Sequence, residues 1–127
     1  MATSGKKILI IDDDPDIVKF LSVLLEDNGY ATITAANGVE GLQKTRAEKP
    51  DLVLLDITMP EKTGVKFYRE VKGDDLLKSI PIVMVTGVTE EFKKFISTRK
   101  QVPPPDGYIT KPVDQQKLLS TIASLLK

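Results

Sequence analysis

The sequence predicts an α/β protein: a doubly wound five-stranded parallel sheet, strand order 2-1-3-4-5, covered on both faces by helices as a (βα)5 three-layer sandwich. Three observations predict it. Unbroken apolar runs of strand length recur along the chain, too short for helices and without the polar alternation of a half-exposed sheet. Helical patterns fill the gaps between them, as parallel strands require. Acidic residues close the first and third runs, where ligands gather in such sheets.

The first run, Ile8-Leu9-Ile10-Ile11, reads as a central strand. Asp14 is suited to cap the following helix, and Pro15 to its first position, where a missing N–H costs nothing. Ile17, Val18, Leu21, Leu24 and Leu25 recur at helical spacing, and Asn28-Gly29 is a stop signal. The second strand, 31–35, is the weakest. Asn37-Gly38-Val39-Glu40 opens a second helix that runs to about Glu48, before Lys49-Pro50. Leu52-Val53-Leu54-Leu55 forms the third strand, and a third helix covers roughly Val65 to Lys72. Ile82-Val83-Met84-Val85 is the fourth strand, followed after Thr89 by a fourth helix with Phe92, Phe95 and Ile96 on one face. Gly107-Tyr108-Ile109-Thr110 is the fifth strand. The last helix begins at Asp114, with Leu118, Leu119, Ile122, Leu125 and Leu126 as its apolar stripe. Right-handed crossovers then favour the stated strand order.

The 127 residues suit one domain, 1–127, with no separate output domain expected. Lys+Arg and Asp+Glu both number 18, so no net charge draws the chain to nucleic acid or membrane. No apolar stretch approaches the roughly 18 to 20 residues of a membrane span, and the first residues lack a secretory core. The expectation is a soluble cytoplasmic protein. Cysteine and histidine are both absent, which excludes disulfides, thiolate nucleophiles, an imidazole general base and a phosphohistidine carrier. Any chemistry must use carboxylates, hydroxyls, lysine or a metal.

Asp12 and Asp13 follow the first strand and Asp56 ends the third, so all three are expected to face one pocket. Converging carboxylates repel one another unless they share a cation, and oxygen ligands suit a hard divalent ion. Asp14 fits capping better. Acids near helix starts are also favourable in purely structural roles, the plain alternative for Asp12 and Asp13. Asp56 is harder to explain that way, since a carboxylate ending an apolar strand is costly to desolvate without a partner. Thr86 ends the fourth strand and Lys111 follows the fifth. Together they supply the hydroxyl and the cation that a phosphorylated aspartate requires.

With these residues in order, the chain resembles a response-regulator receiver domain of the CheY-like kind over essentially residues 6 to 127. Asp12-Asp13 resemble its acidic pair, Asp56 in Asp-Ile-Thr-Met-Pro its phosphoacceptor, and Thr86 its switch hydroxyl. Lys111-Pro112 matches its lysine-proline pair, and Tyr108 its rotamer-changing aromatic. The resemblance implies Mg²⁺ held by Asp12, Asp13, Asp56 and the backbone carbonyl of Thr58. It implies a phosphoryl group transferred to Asp56 from a histidine kinase or phosphotransfer protein, and a cis Lys111-Pro112 bond. It also implies that Thr86 and Tyr108 remodel the surface of the fourth helix, fifth strand and last helix. That surface would bind a downstream protein target or a second copy as a homodimer. Such a domain catalyses only its own phosphorylation and dephosphorylation.

The chain departs from the family between Thr86 and Lys111. Val88 stands where the family tunes water access, and apolar Val88 is expected to slow hydrolysis. Pro103-Pro104-Pro105 stiffens the connection to the last strand, and Lys93, Lys94, Arg99 and Lys100 add positive charge. The competing readings are an aspartate phosphatase, a flavodoxin-like cofactor binder, a constitutive interaction module and a receiver from a hybrid histidine kinase. Thr58 stands where the phosphatase would want a second acid. The acidic loop after the first strand disfavours a cofactor phosphate.

Overall fold

The computed structural model describes residues 5–57, 63–87 and 106–126. In chain order it contains β1 (Lys7–Ile11), α1 (Pro15–Asp27), β2 (Ala31–Ala35), α2 (Gly38–Glu48), β3 (Leu52–Leu55), α3 (Thr63–Lys72), β4 (Ile82–Thr86), β5 (Gly107–Thr110) and α4 (Gln115–Leu125). The strands form one parallel sheet in the order β2-β1-β3-β4-β5. The anticipated fold class and strand order are therefore present. Helix α4 is the last of the five helices expected; the fourth, after Thr89, lies outside the described residues, as do Thr58, Val88 and Pro103–Pro105.

Alternation along the strands divides the core in two. Leu9, Ile11, Val53, Leu55 and Met84 face Phe67, Tyr68 and Val71 of α3, with Leu42 of α2 packed alongside. Ile8, Ile10, Leu52, Leu54, Val83 and Val85 face Leu21 and Leu25 of α1 and Leu118 and Ile122 of α4. The long apolar runs follow from this, because both faces of β1, β3 and β4 are covered by helices. Burying each such side chain contributes about 1.5–3 kcal/mol. β2 lies at an edge and is only partly buried, consistent with its weaker sequence pattern.

The helix ends follow the anticipated chemistry. Asp14 caps α1, its side chain accepting from the Asp16 N–H at 2.9 Å, and Pro15 opens the helix. Gly29 takes the left-handed conformation, φ +89°, at the exit from α1, where a side chain would be strained. Asn37 caps α2 through the Glu40 N–H at 2.8 Å, while Glu40 accepts from the Ala36 N–H at 2.8 Å. Asp114 caps α4 through the Lys117 N–H. Helix α3 begins at Thr63 rather than near Val65, because Gly64 fits against the main chain after β3. A Cβ there would lie 2.5 Å from the Asp56 carbonyl oxygen.

Two aspartates close the starts of strands. The Asp51 N–H donates to the Lys7 carbonyl at 2.8 Å, and its carboxylate accepts from the Lys7 N–H at 2.7 Å. Asp106 repeats the arrangement before β5, donating to the Ile82 carbonyl at 2.9 Å and accepting from the Ile82 N–H at 2.8 Å. Each carboxylate satisfies a strand-start donor that the ladder leaves open. The Lys111-Pro112 peptide bond is cis. Among the described residues no helix is long and apolar enough to cross a membrane.

Candidate functional site

The sheet itself positions the functional side chains. Just beyond their strands, the Asp12 N–H donates to the Ala35 carbonyl, the Asp56 N–H to Ile11 and the Lys111 N–H to Thr86, at 3.0–3.1 Å. These bonds continue the parallel ladder by one residue. Asp12, Asp56 and Lys111 are thus fixed at the carboxyl edge of the sheet, with main-chain positions set by neighbouring strands.

Their side chains converge. Carboxylate oxygens of Asp12, Asp13 and Asp56 lie within 4.8 Å of one another. Asp12 and Asp56 are buried, at 3% and 4% exposure, whereas Asp13 is open to solvent. Lys111 donates to Asp12 Oδ2 at 3.0 Å and to Asp56 Oδ2 at 3.3 Å. Thr86, 1% exposed, donates its hydroxyl to Asp56 Oδ1 at 2.8 Å. Both Asp56 oxygens are therefore engaged, one by a neutral donor and the other by a cation.

Asp12 is steadied differently. Its Oδ1 accepts from the Asp14 N–H at 2.9 Å. Burial pushes the Asp12 carboxyl above the usual carboxylate value; the Asp14 N–H and Lys111 oppose the shift, while the Asp56 charge adds to it. Burial draws the Lys111 ammonium down, but its bond to Asp12 and the Asp56 charge outweigh this and leave its pKa raised. Lys111 brings one positive charge to three carboxylates. The surplus negative charge and the all-oxygen donor set suit a small, hard divalent cation bridging Asp12, Asp13 and Asp56.

Five of the anticipated site residues, Asp12, Asp13, Asp56, Thr86 and Lys111, thus come together. Tyr108 stands apart from the carboxylates, paired in register with Met84, two positions before Thr86. It is half-buried, its hydroxyl is buried, and it packs on the cluster containing Tyr68, Val71 and Met84. The Thr58 carbonyl expected to join the cation site is outside the described residues. The Asp14 main-chain donor to Asp12 was not legible in the sequence, because a backbone N–H has no residue signature. Gly64 bears on the site through its close approach to the main chain of Asp56 and Ile57.

Comparison with known proteins agrees with this geometry. Residues 8–123 match the family described as the response regulator receiver domain. Protein PilH of Pseudomonas aeruginosa is 38% identical over 120 residues, covering 94% of this chain and 97% of that protein. The alkaline phosphatase synthesis transcriptional regulatory protein PhoP of Bacillus subtilis is 36% identical over 97% of this chain, which spans only 49% of PhoP. Among solved structures, chemotaxis protein CheY4 of Vibrio cholerae superposes with a TM-score of 0.83 at 34% identity, covering 96% of this chain and 99% of that one. Sequence and architecture lead to one assignment: the chain belongs to the response regulator receiver domain family and is a CheY-like receiver of two-component signalling.

Proposed function

We propose that this receiver accepts a phosphoryl group on Asp56 from a phosphohistidine of a histidine kinase or phosphotransfer protein, and changes its affinity for a downstream protein in response. The observation that carries this reading is the setting of Asp56: 4% exposed, with Thr86 Oγ1 at 2.8 Å and Lys111 Nζ at 3.3 Å. A buried carboxylate between a hydroxyl donor and an ammonium is restrained for attack, and both partners can follow the charge onto new oxygens.

In the step itself, an Asp56 oxygen forms the O–P bond as the donor's P–N bond breaks. The electron pair of that bond leaves with the imidazole. Lys111 shifts its contact from the carboxylate to a phosphoryl oxygen, and Thr86 donates its hydroxyl to another. Asp12, Asp13 and Asp56, with the Thr58 carbonyl, would hold Mg²⁺. When bound, that ion supplies the charge neutralisation that phosphoryl transfer requires. The chain thereby catalyses only its own modification, and a cytoplasmic location fits a kinase that uses ATP. Movement of Thr86 toward the phosphoryl group would free space for Tyr108 to turn. The added charge, roughly −2, would thus bias a two-state surface around β5 and α4 that binds protein partners or a second copy.

The acceptor is located by treating the protein with phosphoramidate and Mg²⁺, reducing the acyl phosphate with borohydride and mapping the peptides. Homoserine at position 56 is the expected result. Homoserine at another aspartate, or none, contradicts the assignment.

A further inference from the structure

The far end of α3 holds a second ionic cluster. Lys72 lies in its last turn, and the side chain is 8% exposed. Its ammonium donates to the carbonyls of Lys78 at 3.3 Å and Ile80 at 3.4 Å, and reaches Asp106 Oδ2 at 3.5 Å. It also sits 5.9 Å from the centre of the Tyr68 ring, within cation-π range. Asp106 uses the same oxygen to accept from the Ile82 N–H. One ammonium therefore ties the end of α3 to the first rung between β4 and β5.

The ladder alone does not call for that ammonium. Asp51 makes the same paired bonds with Lys7 at the start of β3, and among the described residues no buried lysine bonds its carboxylate. Lys72 is thus an addition specific to the β5 side. Tyr108, two residues after Asp106, packs on the same apolar cluster as Tyr68. Burial raises the Tyr68 phenol, and Asp106 and Tyr108 raise it further, so all three share one electrostatic neighbourhood.

The other end of α3 bears on Asp56. A Cβ at Gly64 would stand 2.5 Å from the Asp56 carbonyl oxygen and 2.7 Å from Ile57 Cα, both main-chain atoms with little freedom to yield. A helix of 10 residues therefore abuts the Asp56 main chain at one end and grips the start of β5 at the other. We propose that α3 is a strut between Asp56 and β5, with Lys72 and Asp106 as positioning residues that set the resting place of the Tyr108 side chain. The inference rests on the reading of Asp56 as phosphoacceptor and Tyr108 as the responding aromatic.

The test uses 3-fluorotyrosine-labelled protein, with the Tyr108 resonance assigned through Tyr108→Phe, followed by ¹⁹F NMR with and without Mg²⁺ and beryllofluoride as a phosphoryl mimic. Lys72→Met removes the charge but keeps the stem, and Asp106→Asn keeps an acceptor for the Ile82 N–H. In wild type the Tyr108 resonance is expected to move on adding the mimic. In each variant the movement should fall to less than half, with the double variant no worse than either single. Wild-type-sized movement in both folded variants, or in Asp106→Asn alone should Lys72→Met not fold, overturns the strut while leaving the phosphoacceptor reading intact. A wild-type Tyr108 that ignores the mimic, although beryllofluoride is shown to bind, overturns the switching role of Tyr108 and the strut together.

Discussion

Thr86 Oγ1 donates to Asp56 Oδ1 over 2.8 Å, joining residues 30 apart in sequence inside a pocket where both are buried. The strand register produces this contact, since β3 and β4 are adjacent and both side chains stand at their carboxyl edge. Thr86→Ala removes the donor and leaves the ammonium. Phosphoryl incorporation is expected to stay within about tenfold of wild type, with stability lowered by roughly 1 kcal/mol. The response of Tyr108 to phosphorylation should be lost. Intact mass and ¹⁹F NMR on the same samples check both halves.

Lys111 spans Asp12 and Asp56; under the proposed function it would both aid transfer and compete with a metal for the same oxygens. In Lys111→Met the phosphorylation rate should fall by about 10²- to 10³-fold, as for loss of a preorganised charge donor. Mg²⁺ affinity should rise. Calorimetric titration with Mg²⁺ separates the two effects, and weaker binding in the variant would contradict the competition.

The three clustered carboxylates should make stability depend on divalent cation. Mg²⁺ at ten times its Kd is expected to add about 1.4 kcal/mol and raise Tm by roughly 3–6 °C. Asp13→Asn removes an exposed ligand without disturbing the buried pair, and should abolish most of that gain. Thermal melts with Mg²⁺ and with EDTA read the difference directly.

Much of this was legible in the sequence, for a physical reason. Strands buried on both faces must be continuously apolar, so β1, β3 and β4 declared themselves. Asp14, Asn37 and Asp114 announced helix starts because capping requires a side-chain acceptor. Asp12, Asp13, Asp56, Thr86 and Lys111 could be grouped because parallel sheets bring their carboxyl ends to one edge. The Lys72 to Asp106 pair could not be read: each looks like an ordinary surface charge, and only the fold brings the Lys78 and Ile80 carbonyls, Asp106 and the Tyr68 ring around the ammonium. The N–H of Asp14 on Asp12 was equally silent, being a property of the main chain.

Gly64 offers a steric test of the contact between α3 and Asp56. Gly64→Ala forces a Cβ into the main chain after β3, at a cost of about 1–3 kcal/mol. The phosphorylation rate should drop along with stability, because the displaced atoms belong to the main chain of Asp56 and Ile57. Urea unfolding and phosphoramidate kinetics measure the two losses; a stability loss with an unchanged rate would uncouple them.

Tyr68 and Tyr30 are buried phenols whose pKa values burial raises. Above the ordinary phenol value of 10.0 the unfolded chain loses these protons while the folded chain keeps them. Their contribution to stability is therefore complete below that pH and is lost as pH rises toward the folded values. For Tyr68, the more deeply buried of the two, the slope approaches about 1.4 kcal/mol per pH unit above the ordinary phenol value. Tyr68→Phe should remove most of that slope, measured as urea midpoints between about pH 10 and 11.5.

The central claim, that Asp56 is a metal-assisted phosphoacceptor, is tested most directly by intact mass after incubation with acetyl phosphate or phosphoramidate, with and without Mg²⁺, in wild type and Asp56→Asn. A gain of one phosphoryl group that requires Mg²⁺ and disappears in Asp56→Asn is the result expected here. No gain from either donor, in folded protein shown to bind Mg²⁺, would contradict it and leave a receiver fold that works by constitutive binding.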